Sequence, residues 1–196
     1  MQFETDKIYH IYNRSNETIF YNERNYNFFI YKVKKLIYPL TDIIAWCLMP
    51  NHFHFLIAAR KGACLTINES HRPNVQSLLK NIGTLLSSYT KAINKQYGKR
   101  GKLFTHNTKA KCLNDFSDNN YLKTCFFYIH QNPITANLCN DLADWPYSSF
   151  NEFIGLNIYG LVNKKLALEI INYDPDNFKG QCLVSLDEKR LKGVFL

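Results

Sequence analysis

The sequence predicts an α+β fold, and three observations carry that prediction. Residues 42–48 and 52–59 are apolar, β-branched and aromatic runs separated by Pro50-Asn51, the pattern of a β-hairpin. Val75 to Gln96 repeats apolar residues at helical spacing, as do two other stretches. The 196 residues show no internal repeat and no low-complexity linker, which suits one core domain. We place that domain at 1–155, with a basic insertion at about 70–114 and a C-terminal extension at 156–196.

Lys7 to Arg14 alternates well enough for a first strand and ends in a polar turn at Asn13-Arg14-Ser15-Asn16. Glu23 to Tyr38 carries Tyr26, Phe29, Ile30, Val33, Leu36 and Ile37 at helical spacing and stops before Pro39, so it reads as a helix. The hairpin strands follow. Arg60 to Pro73 is polar and reads as an irregular loop. The Val75–Gln96 helix presents Leu78, Leu79, Ile82, Leu85, Leu86, Tyr89 and Ile93 on one face, with Lys80, Lys91 and Lys95 among its polar positions. Gly98-Lys99-Arg100-Gly101-Lys102 is a basic turn in which two glycines let backbone approach a phosphate. Leu103-Phe104 and Lys109 to Leu113 read as short strands. Phe104 and Tyr97 are either stacking platforms for a base or core anchors. A third helix, capped by Ser117 or Asp118, runs through Tyr121, Leu122, Cys125, Phe126 and Ile129 and is expected to end near Asn132, ahead of Pro133. Asp144 to Phe150 reads as a packed surface turn, Asn163 to Asn172 as a further helix, and Asp174-Pro175-Asp176 as a turn.

Composition narrows the function classes. Hydrophobic content of 46% with 15% aromatics is that of a globular chain. No apolar run approaches the ~20 residues of a membrane span, and the start lacks the basic and apolar regions of a signal peptide, so a cytoplasmic location is expected. Six scattered cysteines without a Cys-x-x-Cys pair read as reduced thiols. The net charge of +8 is concentrated: from Ser70 to Asn114 there are nine Lys/Arg and no Asp or Glu, while the remaining 15 basic and 16 acidic residues give −1. Such a single-sign field favours a polyanion, and nucleic acid is the obvious one.

Two places could carry chemistry. In the second hairpin strand His52 and His54 share a face while Phe53 and Phe55 share the other, because strand side chains alternate. Side-by-side imidazoles are a pair of metal ligands or simply two strand histidines, and a third ligand must come from elsewhere. His10 either joins that site or packs in the sheet. In the helix before Pro133, Tyr128 and Asn132 are i, i+4 neighbours on one face, whereas Gln131 points ~100° away from Asn132. Tyr128 is either a nucleophile or a core residue, and Asn132 either a ligand or a helix terminator.

In order along the chain, five segments combine: Tyr9-His10-Ile11-Tyr12-Asn13-Arg14, Met49-Pro50-Asn51-His52-Phe53-His54, Ser88-Tyr89 with Asn94-Lys95 and Gly101-Lys102-Leu103-Phe104, Tyr128-Ile129-His130-Gln131-Asn132-Pro133, and Asp144-Trp145-Pro146-Tyr147-Ser148-Ser149. Together they resemble the single-tyrosine HUH transposases of the IS200/IS605 type, most of all their REP-associated relatives, over about residues 7–150. The resemblance implies a ferredoxin-like antiparallel sheet with helices packed on it. It implies that His52, His54 and Asn132 bind one divalent ion, Mg²⁺ or Mn²⁺, although two imidazoles and an amide suit Zn²⁺ or Ni²⁺ at least as well by ligand softness. It further implies that Tyr128 attacks single-stranded, hairpin-forming DNA, giving a 5′-phosphotyrosine bond and a free 3′-OH. Tyr89 is the main rival nucleophile, ahead of Tyr97 and Tyr121. DNA contacts are expected from Asn13, Arg14, Lys91, Lys95, Lys99, Arg100, Lys102, Lys109 and Lys111. The family includes dimers with exchanged tyrosine helices as well as monomers, so a homodimer stays open. The alternatives are a domesticated binder of structured DNA or RNA without strand transfer and, more remotely, a nickase of the replication-initiator or relaxase kind.

Overall fold

The computed structural model describes residues 2–69, 72–114, 119–156 and 158–184. In chain order the elements are β1 (Ile8–Arg14), α1 (Glu23–Leu36), β2 (Thr41–Met49), β3 (His52–Ala59), α2 (Lys61–Cys64), β4 (Thr66–Glu69), β5 (Arg72–Gln76), α3 (Ser77–Tyr97), β6 (Lys109–Cys112), α4 (Asn119–Thr135), α5 (Phe150–Phe153), α6 (Lys164–Ile171) and α7 (Phe178–Leu183). Among the described residues β2, β3, β1 and β6 form one sheet in that order, and every pairing in it is antiparallel. With α1 between β1 and β2, and α3 between β3 and β6, this is the ferredoxin-like βαββαβ arrangement. No helix of the described residues is long and apolar enough to cross a membrane.

Strand alternation divides the interior in two. Tyr9, Ile11, Leu48, Phe53, Phe55 and Ile57 point to the face covered by α1 and α3, where Phe29, Val33, Leu85 and Tyr89 meet them. Ile8, Leu56, Cys47 and Met49 point to the opposite face, against Phe126, Ile129 and Cys125 of α4. A register shift between Ile43 and Ala45 puts Ile44 and Ala45 both on the α4 face, the signature of a β-bulge. Phe53, buried against Phe29 with ring centroids 5.5 Å apart, anchors the α1 side, and its truncation to alanine is worth ~3–5 kcal/mol.

Local chemistry sets the helix ends. The Asn22 side chain accepts from Asn25 N–H and caps α1. That helix stops at Leu36, two residues before the expected Tyr38, because Tyr38–Leu40 tightens into a 3₁₀ turn around Pro39. Gly98 (φ 64°) ends α3 in the left-handed conformation, and Asn163 and Asn172 cap α6 at its two ends.

Four expectations are corrected. The segment 60–73, expected as a loop, carries α2 and contributes to a β4–β5 hairpin in which Ile67 pairs with Val75. Gln76 fixes it to the N-terminal segment by exchanging two 2.7 Å hydrogen bonds with the backbone of Phe3. Leu103-Phe104 is not a strand; both side chains are core anchors beneath α3. The helix expected to end near Asn132 runs on to Thr135 with Pro133 inside it. Its end is a Schellman motif at Asn137 (φ 55°), with Leu138 N–H on Pro133 C=O and Asn137 N–H on Ile134 C=O. Asp144–Phe150, expected at the surface, lies along the outer edge of β2: Leu48 N–H donates to Tyr147 C=O and Ser149 N–H to Trp46 C=O, both at 2.8 Å. Asn163 N–H continues this cover on Ile43 C=O, so β2 is not an open edge. Residues 158–184, in the stretch expected as an extension, add Ala167, Ile171, Phe178 and Cys182 to the second core. The expected helix caps Ser117 and Asp118 lie outside the described residues.

Candidate active site

β3 delivers His52 and His54 to the α4 face at its first turn of pleat, and α4 brings Tyr128 and Asn132 over them. The His52 and His54 rings are 5.0 Å apart and nearly perpendicular, and the Tyr128 ring stands edge-on to His54 at 5.6 Å. Tyr128 Oη donates to Asn132 Oδ1 at 2.8 Å, while Asn132 Nδ2 donates to the Tyr128 carbonyl at 2.9 Å. Asn51 Oδ1 lies 2.6 Å from His52 Nδ1, and the Asn132 amide is near enough to His52 to favour its charged form. The i, i+4 face expected from the sequence is therefore the face that meets the imidazoles.

His10 occupies a place the sequence left open. It is 0% exposed, lies against Tyr12 (4.8 Å) and His54 (5.1 Å), and its Nε2 is 2.9 Å from His54 Nδ1. The register explains this: β1 pairs Tyr12 with His54 and His10 with Leu56, so His10 is the diagonal neighbour of His54 on one face. Pairing the first strand with the histidine strand would have found it in the sequence.

Burial sets the electrostatics. Desolvation pushes His52 down to about 4, helped by the Arg14 cation and opposed by the Asn132 hydrogen bond. His10 falls to about 3, and His54 lies well below its usual value, both through burial first. All three are neutral imidazoles at pH 7, the form that ligates metals. Burial raises the Tyr128 phenol, against the Asn132 hydrogen bond and Arg14, so it is protonated at neutral pH.

One observation tests whether the site suits an ion. His54 Nε2 is buried and has no hydrogen-bond partner among the described residues. If His54 Nδ1–H donates to His10 Nε2, then His54 Nε2 carries a free lone pair and His10 keeps its own proton on Nδ1. The donor set is then two neutral imidazoles and one amide oxygen, and the residues fit a divalent ion. No group of three His, Cys, Asp or Glu side chains that could hold an ion is found among the described residues, and Asn132 is the amide that stands beside the two imidazoles.

The rival tyrosines lie elsewhere. Tyr89 is buried on the α1–α3 face with its hydroxyl on Ile19 C=O at 2.8 Å. Tyr97 Oη accepts from Asn22 Nδ2 beside α1, and Tyr121, two turns before Tyr128 on α4, accepts from Lys111 Nζ at 3.1 Å. Gln131 points away from the site, as expected, and donates to the carbonyls of Cys182 and Val184.

The residues expected to contact DNA do not form one patch. Arg14 pairs with His52, Lys109 with Tyr12 and Lys111 with His10 in register, which places these three on the Tyr128 face. Asn13, Lys91 and Lys102 line a cleft on the other side of the sheet. Lys95 and Arg100 are exposed near the end of α3. Lys99 is spent on Glu17 (3.1 Å) and Tyr21 (3.0 Å).

No family model matches the sequence, and no curated protein matches it. Among solved structures the fold is similar to that of a REP-associated tyrosine transposase bound to a REP hairpin. The superposition covers 81% of this chain and 86% of that one, with a TM-score of 0.53 and 15% identity. The class defined here is an α+β protein with an antiparallel sheet and packed helices, a fold shared with that transposase.

Proposed function

We propose that the chain is a metal-dependent single-stranded DNA endonuclease and transesterase of the transposase type, acting on hairpin-forming repeat DNA. The Tyr128 ring set against His54, with His52 beside it and the Tyr128 hydroxyl on Asn132, supports this reading, and the shared fold and the basic segment agree with it. His52, His54 and Asn132 would hold a divalent ion, which supplies Lewis-acid neutralisation of the non-bridging phosphate oxygens and favours the phenolate.

The chain's own groups do the rest. His10 orients His54 and, by accepting from its Nδ1–H, would leave Nε2 free to ligate. Asn132 holds the phenol proton at Oδ1 and so keeps Tyr128 Oη turned toward the imidazoles until substrate enters. Tyr128 Oη then attacks phosphorus and loses its proton, and the P–O3′ bond breaks, the leaving oxygen taking up a proton as 3′-OH. The phosphotyrosine bond conserves the energy of the phosphodiester, so a 3′-OH attacking it rejoins strands without a nucleotide cofactor. Arg14, opposite His52, adds fixed positive charge where the phosphate lies.

A binding-only reading draws on the Tyr128 phenol, which burial raises and Asn132 already occupies. Covalent trapping separates the two. Full-length protein, Mn²⁺ or Mg²⁺ and labelled hairpins from repeats flanking its own gene are resolved on a denaturing gel beside Tyr128→Phe. The nuclease reading expects a metal-dependent shifted band that the substitution abolishes. Tight binding to the same hairpins with no band would leave the binding module.

A further inference from the structure

We propose a second, base-reading site on the reverse of the sheet, in which the cleft beside Asn13 takes one unstacked nucleobase of the strand whose phosphodiester lies at Tyr128. This rests on the nucleic-acid reading above. The cleft has a volume of about 500 Å³ and lies between the second half of α3, with Ser87, Thr90 and Lys91, and the segment 101–108, with Lys102 and Thr108. That volume is within the ~300–1,000 Å³ range of small-ligand pockets.

Asn13 supplies the specificity. It is 3% exposed, and its Nδ2 is spent on Thr108 Oγ1 at 2.8 Å, while Oδ1 is a buried acceptor without a partner. A buried unpaired acceptor is costly, and a ligand that brings an N–H donor removes the cost. The terminal torsion of asparagine is broad, so a small rotation presents the amide to the cleft it lines. On the edge that faces the major groove in a duplex, adenine and cytosine carry an exocyclic amino donor, whereas thymine presents a carbonyl oxygen and no donor. Oδ1 therefore selects an amino-bearing base that enters the cleft by this edge. Phe104, anchored against Phe53 at 6.0 Å, gives the cleft an apolar wall, and Lys91 and Lys102 supply cations for the flanking phosphates.

β1 links the two sites. Arg14 faces the Tyr128 side opposite His52, and the adjacent Asn13 faces the cleft. A strand passing over the end of β1 meets both within a few nucleotides. An adjoining cavity of about 390 Å³ shares Lys102 and Thr105 with the cleft and adds Arg100, which extends the cationic path.

The test is fluorescence anisotropy of full-length protein with labelled single-stranded homopolymers of dA, dC and dT, in chelator to prevent cleavage. Wild type is expected to hold dA and dC roughly tenfold tighter than dT, about one hydrogen bond's worth. Asn13→Leu should abolish that difference while retaining charge-driven binding. Ser87→Trp fills the cleft from an exposed helix position, should abolish it too, and carries the test if Asn13→Leu does not fold. Wild-type binding with no base preference, or a preference that survives both substitutions, overturns the base-reading site alone. Failure of wild type to bind any of the three would instead defeat the nucleic-acid reading on which it rests.

Discussion

His10 Nε2 and His54 Nδ1 meet at 2.9 Å inside the sheet, so a histidine from the first strand holds the ring of a histidine two residue pairs along on the adjacent strand. This makes His10 a positioning residue for any ion at His54. His10→Leu should weaken Mn²⁺ binding 10–100-fold, the usual cost of losing the partner of a ligating histidine. Isothermal titration with Mn²⁺ measures it, and an unchanged affinity would detach His10 from the site.

The buried histidines also predict acid sensitivity. His130 has a folded pKa of about 3, lowered from 6.5 by burial between Phe126 C=O and Ser149 Oγ. Below pH 6.5 the unfolded chain binds a proton that the folded chain refuses, so this stability is complete above about pH 6.5 and is lost as pH falls toward 3. The slope is ~1.4 kcal/mol per pH unit for each such histidine. Urea melts between neutral pH and about pH 5 should show a shallower slope in His130→Gln than in wild type.

Tyr89 and Tyr128 should respond oppositely to the same change. Tyr89→Phe removes a buried hydroxyl from Ile19 C=O and should cost ~1 kcal/mol of stability with adduct formation intact. Tyr128→Phe should abolish the adduct at comparable stability. Denaturant melts run alongside the trapping gel read both, and an adduct lost in Tyr89→Phe at full folding would reverse the assignment.

Salt dependence should rank the cations by their existing partners. Each phosphate contact contributes ~0.7 to the slope of log K against log salt on a single strand. Lys109→Ala and Arg14→Ala should each reduce the slope by about that amount, and Lys99→Ala by less, because Lys99 is already paired with Glu17. Equal effects at all three positions would mean that the Glu17 pair breaks on binding.

The alternation of β3 and the i, i+4 relation of Tyr128 and Asn132 were legible because each is a purely local period. The position of His10 was not, since it depends on which strand pairs with which and in what register. Segment 60–73 was misread because its polarity outweighed a short β-branched alternation whose pairing is anchored by Gln76 on a distant Phe3. The helix passed Pro133 because a proline near a helix end forfeits little when the following residues close the helix with backbone hydrogen bonds.

Pro133 has a further consequence for the residue before it. Asparagine ages to aspartate mainly when the next backbone nitrogen, carrying a hydrogen, cyclises onto the side-chain amide. Pro133 offers no such hydrogen, so Asn132 is shielded from that route. The amide that accepts from the Tyr128 hydroxyl is therefore protected from becoming a carboxylate by that route.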